Sequence, residues 1–337
     1  MSPAVTVLMP VHNGAAYLSE AMDSILRQSL RDFELLIVND ASTDDSVAII
    51  ERYKDPRIRL LRSMERLKLS GALNLGLDNA RGDYVARMDA DDISLPRRLE
   101  IQVRHMNRRS EIGICGTWIR YFGGSSRAVQ KRPIGCEEIR AFTLVDTPFA
   151  HPTVMLRRSL MDRHQLRFDG SYYPTEDFEL WTRAMRCFPV ENLPQVLLRY
   201  RVHNQSLTGS KWTKMDEQAV RVIARQFHAL SIETTPDTLR FHRELCMGRL
   251  SMSAETLSKA DAWLEQIRVA NAQAHVFDPD ALANVLGDVW FRACMHAAHL
   301  GSWVAKRYDD SNLAKKNRTR VRNRLMITLG AIKALAT

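Results

Sequence analysis

The sequence predicts an α/β protein: a mostly parallel sheet flanked by helices, with an α-helical C-terminal region. Three observations predict it. Short apolar runs at 5–11, 34–39, 58–62 and 84–88 alternate with helical spacing at 16–27, 44–54 and 70–79, and such alternation gives parallel strands with helices on the sheet faces. The runs end in polar stretches, "HNG" (12–14), "NDASTDD" (39–45) and "DADD" (89–92), and ligands of these sheets bind at the carboxyl ends of the strands. Beyond about Ser210 the strand signals stop, and long helical patterns follow with breaks at Pro236 and Pro279.

Each element has its own warrant. "VTVLMPV", "ELLIVN", "RIRLL" and "YVARM" are nearly continuous apolar runs of strand length, as strands covered on both faces require. Leu18, Met22, Ile25 and Leu26 recur at helical spacing in 16–27. After Pro96 an Arg-rich helix is expected over 97–109, then a strand through "IGICGTWIRYF" ending at Gly123-Gly124. "HPTVMLRR" (151–158) reads as a strand, "TEDFELWTRAMRC" (175–187) as a helix, and "QVLLRYRVHNQS" (195–206) as extended. The expected division is a domain at 1–210 and a helical region at 211–337.

Composition narrows the class. The 337 residues are 45% hydrophobic and 26% charged, the profile of a globular chain with a real core. Five scattered cysteines form no C-x-x-C pair, so reduced thiols are expected and a zinc centre is not. The N-terminus runs into "VTVLMPVHN" without a basic leader, and no stretch is long and apolar enough to span a bilayer; a cytoplasmic protein is expected. The formal net charge is +9, but it is uneven: seven basic residues and no acid lie between Leu313 and Thr337. The global charge is therefore discounted as a sign of nucleic acid, and the tail is read separately.

Asp89, Asp91 and Asp92 crowd the end of a buried strand. Paired carboxylates serve as acid and base or as hard ligands of a divalent cation. A cap accounts for one of them, since Asp92 or Ser94 could cap the helix near Pro96; it does not account for three. Arg87, inside the strand, needs a carboxylate or phosphate partner if buried, and Asp89 or a diphosphate would serve. At "TEDFELW", Glu176 and Asp177 open a helix after Thr175; the bland reading is dipole complementation with Thr175 as N-cap.

Taken together and in order, "VTVLMPVHNGAAYLSEAMDSILRQS", "ELLIVNDASTDDS" and "ARGDYVARMDADD" resemble the family 2 glycosyltransferases of the GT-A fold. The resemblance covers roughly residues 4–206. It implies an inverting hexosyltransferase that uses a nucleotide-diphosphate sugar, with UDP-sugar favoured, and a glycan or lipid-linked acceptor in bacterial surface-polysaccharide assembly. It also implies a cofactor, Mn²⁺ or Mg²⁺, held by Asp91 and His203 with Asp89 close by, while Asp89 also borders the donor ribose. Asp40 would read the nucleobase, with Pro10, His12 and Asn13 as the facing wall. Lys68 would either reach the diphosphate or stay solvated, and Arg87 would complete the donor side. Asp177 would be the general base with Glu176 beside it, and His151 and Trp181 would line the acceptor side. Two departures stand out. The turn after Asp40 has Ala41 where the family has glycine, and Lys68 occupies a region where the family has Asn or Gly.

Val321, Leu325, Leu329 and Ile332 recur at helical spacing among basic residues. That pattern suits a helix on an anionic membrane surface and equally a helix packed on its own domain with a solvated basic face; both stay open. Cys294, His296 and His299 on an apolar helical stretch are expected in the core. The rival readings are a nucleotidyltransferase, whose Gly-rich phosphate loop is missing, and a non-catalytic sugar-nucleotide-binding scaffold. A hydride-transfer protein fits less well still, because no G-x-G-x-x-G follows a strand.

Overall fold

The computed structural model describes residues 2–203, 212–315 and 319–335. The expected division after 210 falls outside the described residues. By internal contacts the chain forms two units, Met1–Ile139 with Thr147–Gln218, and Arg140–Asp146 with Ala219–Thr337.

In the first unit, β1 (Val5–Val11), β2 (Phe33–Asp40), β3 (Ile58–Ser63) and β4 (Tyr84–Arg87) pair in parallel in the order β3-β2-β1-β4. The helices α1 (Leu18–Leu26), α2 (Ser46–Arg52) and α3 (Lys68–Asn79) connect them. The sheet continues through β8 (Met155–Arg157), β6 (Ile114–Phe122), β9 (Val190–Arg201) and β5 (Ile93–Ser94), with β7 (Val129–Gln130) on β6. β6 and β9 are parallel, while β4–β8, β6–β8 and β5–β9 are antiparallel. Of the expected strand at 151–158 only β8 is strand; His151–Thr153 is a single 3₁₀ turn before it.

Period-two alternation sorts β1 between two cores. Val5, Val7, Met9 and Val11 share one with Leu18, Met22 and Ile25 of α1. Leu8 points the other way, among Ala72, Leu73 and Leu77 of α3. At Gly76 the helix lies so close that a Cβ would stand 2.1 Å from Leu8 Cδ1, so any larger residue would force Leu8 or the helix to shift. Full burial of each such aliphatic side chain contributes about 1.5–3 kcal/mol. On the α3 side the core extends through α7 (Glu176–Ala184), whose Leu180 and Trp181 are fully buried.

The helix α4 (Arg98–Arg108) begins without a side-chain cap at Arg97. Neither Asp92 nor Ser94 caps it. Ser94 is taken up by Ser24 and Gln28, and Asp92 faces β9.

The second unit is helical: the part of α8 (Trp212–Ala229) from Ala219 on, α9 (Pro236–Met247), α10 (Ala254–Ala274), α11 (Pro279–His296), α12 (Trp303–Asp310), α13 (Asn312–Lys315) and α14 (Arg320–Leu335). Of the remaining helices, α5 (Cys136–Phe142) runs from the first unit into the second at Arg140, and α6 (Arg158–Arg163) belongs to the first. Pro236 and Pro279, read from sequence as breaks, are first residues of helices, where proline's fixed φ fits and its missing N–H costs nothing. Thr235, Ser253 and Asp278 cap the following helices through their side-chain oxygens. His242, fully buried, donates from Nε2 to the Leu144 carbonyl at 2.6 Å and accepts from Trp263 Nε1 at 3.0 Å. Burial lowers its pKa to about 4, so the neutral ring is a structural hydrogen-bond hub. Cys294 is in the core as expected, but His296 and His299 are exposed; the helix end leaves them on the outer side. No described helix is long and apolar enough to cross a membrane.

Candidate active site

The carboxyl ends of β1, β2 and β4 carry the three polar stretches. Two of them are zipped together. Gly14 N donates to Ser46 Oγ, Ala15 N to Asp44 Oδ2, and Asn13 joins Ser42 and Thr43 through its N–H and Oδ1. His12 Nδ1 lies 2.8 Å from the Asp40 carbonyl and donates to it. His12 and Asn13 are exposed, and Pro10 is half-buried. Asp40 itself is 2% exposed. Its Oδ1 accepts from Leu67 N at 2.6 Å and its Oδ2 pairs with Arg66. Three backbone positions around this carboxylate are left-handed, Asn13 (φ 53°), Ala41 (φ 51°) and Lys68 (φ 61°). Lys68 is exposed and opens α3. Both departures from the family pattern thus fall where glycine or asparagine suits the backbone.

Asp89, Asp91 and Asp92 each offer an oxygen within 4.8 Å of the others, the one such group of possible metal ligands among the described residues. Arg87, 4% exposed, takes Asp89 as its partner. Arg98, wholly buried, donates to the Arg87 carbonyl and to Gln102 Oε1; burial and the neighbouring Arg87 push its pKa down. Burial, then the charges of Asp89 and Asp91, drive Asp92 well above the usual carboxylate range. For Asp89, burial and the charge of Asp91 outweigh Arg87 and leave it raised as well. Asp92 Oδ2 is buried without a hydrogen-bond partner. A cluster of three carboxylates, two of them held back from ionising and one with an orphaned oxygen, fits a divalent cation chemically.

Arg201 at the end of β9 and His203 just beyond it close this group. His203 Nε2 lies 2.9 Å from Asp91 Oδ2, its ring 4.9 Å from that of Tyr17. Arg201 donates from its backbone N to Asp92 Oδ1 (2.8 Å) and from Nε to the Asp91 carbonyl (2.7 Å), while its Nη2 pairs with Glu20. Its guanidinium stacks over Tyr17 and Phe122. The sequence reading passed over Arg201, which lies beside the expected histidine in "YRVHN". Strand alternation was the available signal, but it does not reveal a partner 110 residues away.

At the start of α7, Asp177 Oδ1 accepts from Phe178 N at 2.7 Å and its Oδ2 stands 3.9 Å from His151 Nδ1. Thr175 makes no side-chain cap; its hydroxyl bonds to the Tyr172 carbonyl instead. Glu176 is 2% exposed with Oε2 unpartnered, and burial, then the charge of Asp177, raises its pKa to about 7. Burial, with the charge of Arg87, keeps His151 far below its ordinary value and hence neutral. The fields of Arg87 and Asp89 are felt at Glu176, so the helix start and the acidic group share one region. Trp181 is a correction. Expected on the acceptor side, it is fully buried behind His151, packed on Phe149 and Phe168. Standing one turn after Asp177, it supports the site from the core rather than lining it.

A strand-end acidic group, a second carboxylate pair on a helix start and a mostly parallel sheet define the GT-A class of transferase. Comparisons narrow it. The model for glycosyl transferase family 2 matches residues 6–164. The O-antigen biosynthesis glycosyltransferase WbnJ of Escherichia coli is 33% identical over 216 residues, covering 61% of this chain and 82% of its own. The amylovoran biosynthesis glycosyltransferase AmsE of Erwinia amylovora is 31% identical over 215 residues, 61% and 79% respectively. Among solved structures, S. aureus TarS 1-349 in complex with UDP-GlcNAc superposes with a TM-score of 0.57 at 16% identity, covering 98% of this chain and 91% of that one. Against a longer TarS chain the coverage is 52% of that chain. The mannosyltransferase PcManGT from Pyrobaculum calidifontis, in complex with GDP-Man and Mn²⁺, gives a TM-score of 0.55 at 20% identity over 99% and 88%. The chain belongs to glycosyl transferase family 2 and is a glycosyltransferase of the GT-A fold.

Proposed function

We propose that the protein transfers a sugar from a UDP-sugar to a hydroxyl of a glycan or lipid-linked acceptor, with inversion, in surface-polysaccharide biosynthesis. The chemistry is assigned to the domain at 1–210, with 211–337 as an appendix, and to the cytoplasm, in keeping with five free cysteines. The observation that carries the reading is the Asp89–Asp91–Asp92 group with its orphaned Asp92 oxygen beside the Glu176–Asp177 pair. The names of the relatives, O-antigen and amylovoran biosynthesis enzymes, favour a polysaccharide product. The ligands in the titles of the structural neighbours favour a nucleotide-sugar donor.

Asp91, His203 and Asp89 would hold Mn²⁺ or Mg²⁺. When bound, that ion supplies Lewis-acid neutralisation of charge on the leaving diphosphate. Arg87 holds Asp89 in place from the buried side. Asp40, with the wall of Pro10, His12 and Asn13, reads the base, and Lys68 stands at the rim. Asp177 is the general base: Phe178 N–H fixes its Oδ1, and Oδ2 takes the acceptor hydroxyl's proton as the new C–O bond forms opposite the departing diphosphate. His151, kept neutral by burial, stands 3.9 Å from that carboxylate. His151 is the acceptor-side residue of this reading.

Thermal unfolding with UDP, dTDP, GDP and CDP, each with Mn²⁺ and with EDTA, tests the donor side. UDP with Mn²⁺ is expected to raise Tm, EDTA to cancel the rise, and Asp91→Ala to abolish it. A rise from GDP alone would reassign the donor, and no rise from any nucleotide would favour a scaffold. Asp177→Asn is expected to keep the UDP shift and lose transfer by about 10²–10⁴-fold; retained turnover would move the base elsewhere.

A further inference from the structure

The basic helix α14 resolves into two faces with different tasks. Asn323, Ile327 and Ala331 are 4%, 0% and 1% exposed; this side packs on the helical unit, with Asn323 Nδ2 donating to the Tyr308 hydroxyl. The apolar row singled out in the sequence is not the packing side. Val321, Leu325, Leu329 and Ile332 are 83%, 60%, 50% and 58% exposed. At the helical repeat of about 100° per residue they fall within one narrow arc. On the same wheel Arg324 stands at one border of that arc and Arg322 at the other, with Arg320 further round toward the packed side. Asp309 pairs with both Arg320 and Arg324, which fixes the Arg324 border and spreads one acid over two cations.

We infer that this outward face of α14 docks on an anionic phospholipid surface, with the four apolar side chains among the acyl-chain ends and the arginines at the phosphates. The inference goes beyond the transfer chemistry and does not rest on it. Charge decides the occupant. Two copies meeting through this face would oppose like charges, because Arg322 and Arg324 border it and residues 313–337 contain no acid. Phosphate headgroups complement both borders at once, and the apolar row between them suits the shallow immersion of an interfacial helix.

The test uses the full chain and co-sedimentation with phosphatidylcholine vesicles, with and without about one quarter phosphatidylglycerol. The bound fraction is expected to be about tenfold or more higher on the anionic vesicles and to fall as NaCl rises to about 1 M. The Leu325→Gln/Leu329→Gln variant and, separately, Arg322→Glu are each expected to lower partitioning about tenfold with Tm unchanged. All three positions are exposed, and Arg322→Glu removes no apolar group, so it remains decisive if the double variant folds poorly. Equal binding to both vesicles, or wild-type binding by Arg322→Glu, overturns the inference. So does a dimer in sedimentation equilibrium that the Leu variants disperse while no vesicle binding occurs.

Discussion

Ala41 bears a conformation that its side chain disfavours. At φ 51° its Cβ crowds the following carbonyl, a strain of about 1–2 kcal/mol. Glycine would remove the strain while adding about 0.5–1 kcal/mol of unfolded-chain entropy. Ala41→Gly is therefore expected to stabilise modestly, by about 0.5–1 kcal/mol, and Ala41→Val, β-branched, to destabilise by about 1 kcal/mol or more; urea unfolding of the three proteins decides it. If the valine variant matches the wild type, the left-handed turn is not held. The turn presents Asp40 to Arg66 and Leu67 N.

Among elements, β9 does most to assemble the acidic group. Its pairing with β5, Ile93 opposite Arg199 and Ser94 opposite Leu198, brings Arg201 onto the loop that holds Asp91 and Asp92. Arg201 is a positioning residue: its Nε holds a backbone carbonyl, not a reacting group. Arg201→Ala is expected to weaken Mn²⁺-dependent UDP binding about 10–100-fold, as the loss of groups that orient metal ligands commonly does. Arg201→Lys should restore only part, because an ammonium lacks the fork that reaches both the Asp91 carbonyl and Glu20. Calorimetry separates the outcomes, and wild-type affinity in Arg201→Ala would remove the residue from this role. In either variant kcat should fall by a smaller factor than KM rises, since the base proposed on α7 is untouched.

Stability is a property of the whole molecule, and Glu176 couples it to pH. Its folded pKa of about 7 exceeds its ordinary 4.5, so the folded chain holds this proton more tightly than the unfolded chain. The contribution is complete below about pH 4.5 and is lost as pH rises through 7, a total of about 3 kcal/mol. Glu34, whose pKa is lowered despite burial by Thr6, Arg59 and the Arg81 N–H, acts with the opposite sign. The wild type must therefore be compared with Glu176→Gln. Between pH 5 and 8 the wild type should lose about 2 kcal/mol relative to the variant in urea unfolding; parallel profiles would mean that Glu176 is not protonated in the fold.

Much of this was legible in the sequence, and the reasons are physical. β1 to β4 are consecutive, parallel and covered on both faces, so composition and spacing announce them, and the polar residues at their ends announce the site. The half of the sheet built from β8, β6, β9 and β5 pairs across long stretches of chain, and no local pattern encodes those partners. Trp181 shows the same limit on a helix. Its spacing from Asp177 places both on neighbouring turns, but only Phe149 and Phe168, distant in sequence, determine that it lies in the core. The tail was ambiguous because amphipathicity reveals two faces without revealing which one the protein covers.

The reach of Arg201 also bears on how the enzyme comes into being. A ribosome delivers Asp91 and Asp92 early and Arg201 some 110 residues later. Through that interval the growing polypeptide carries its cluster of acids without the clamp that steadies them. The pairing of β9 with β5 must follow that interval, because its partners lie so far apart along the chain. The acidic group therefore gains its Arg201 contacts only after β9 has been synthesised.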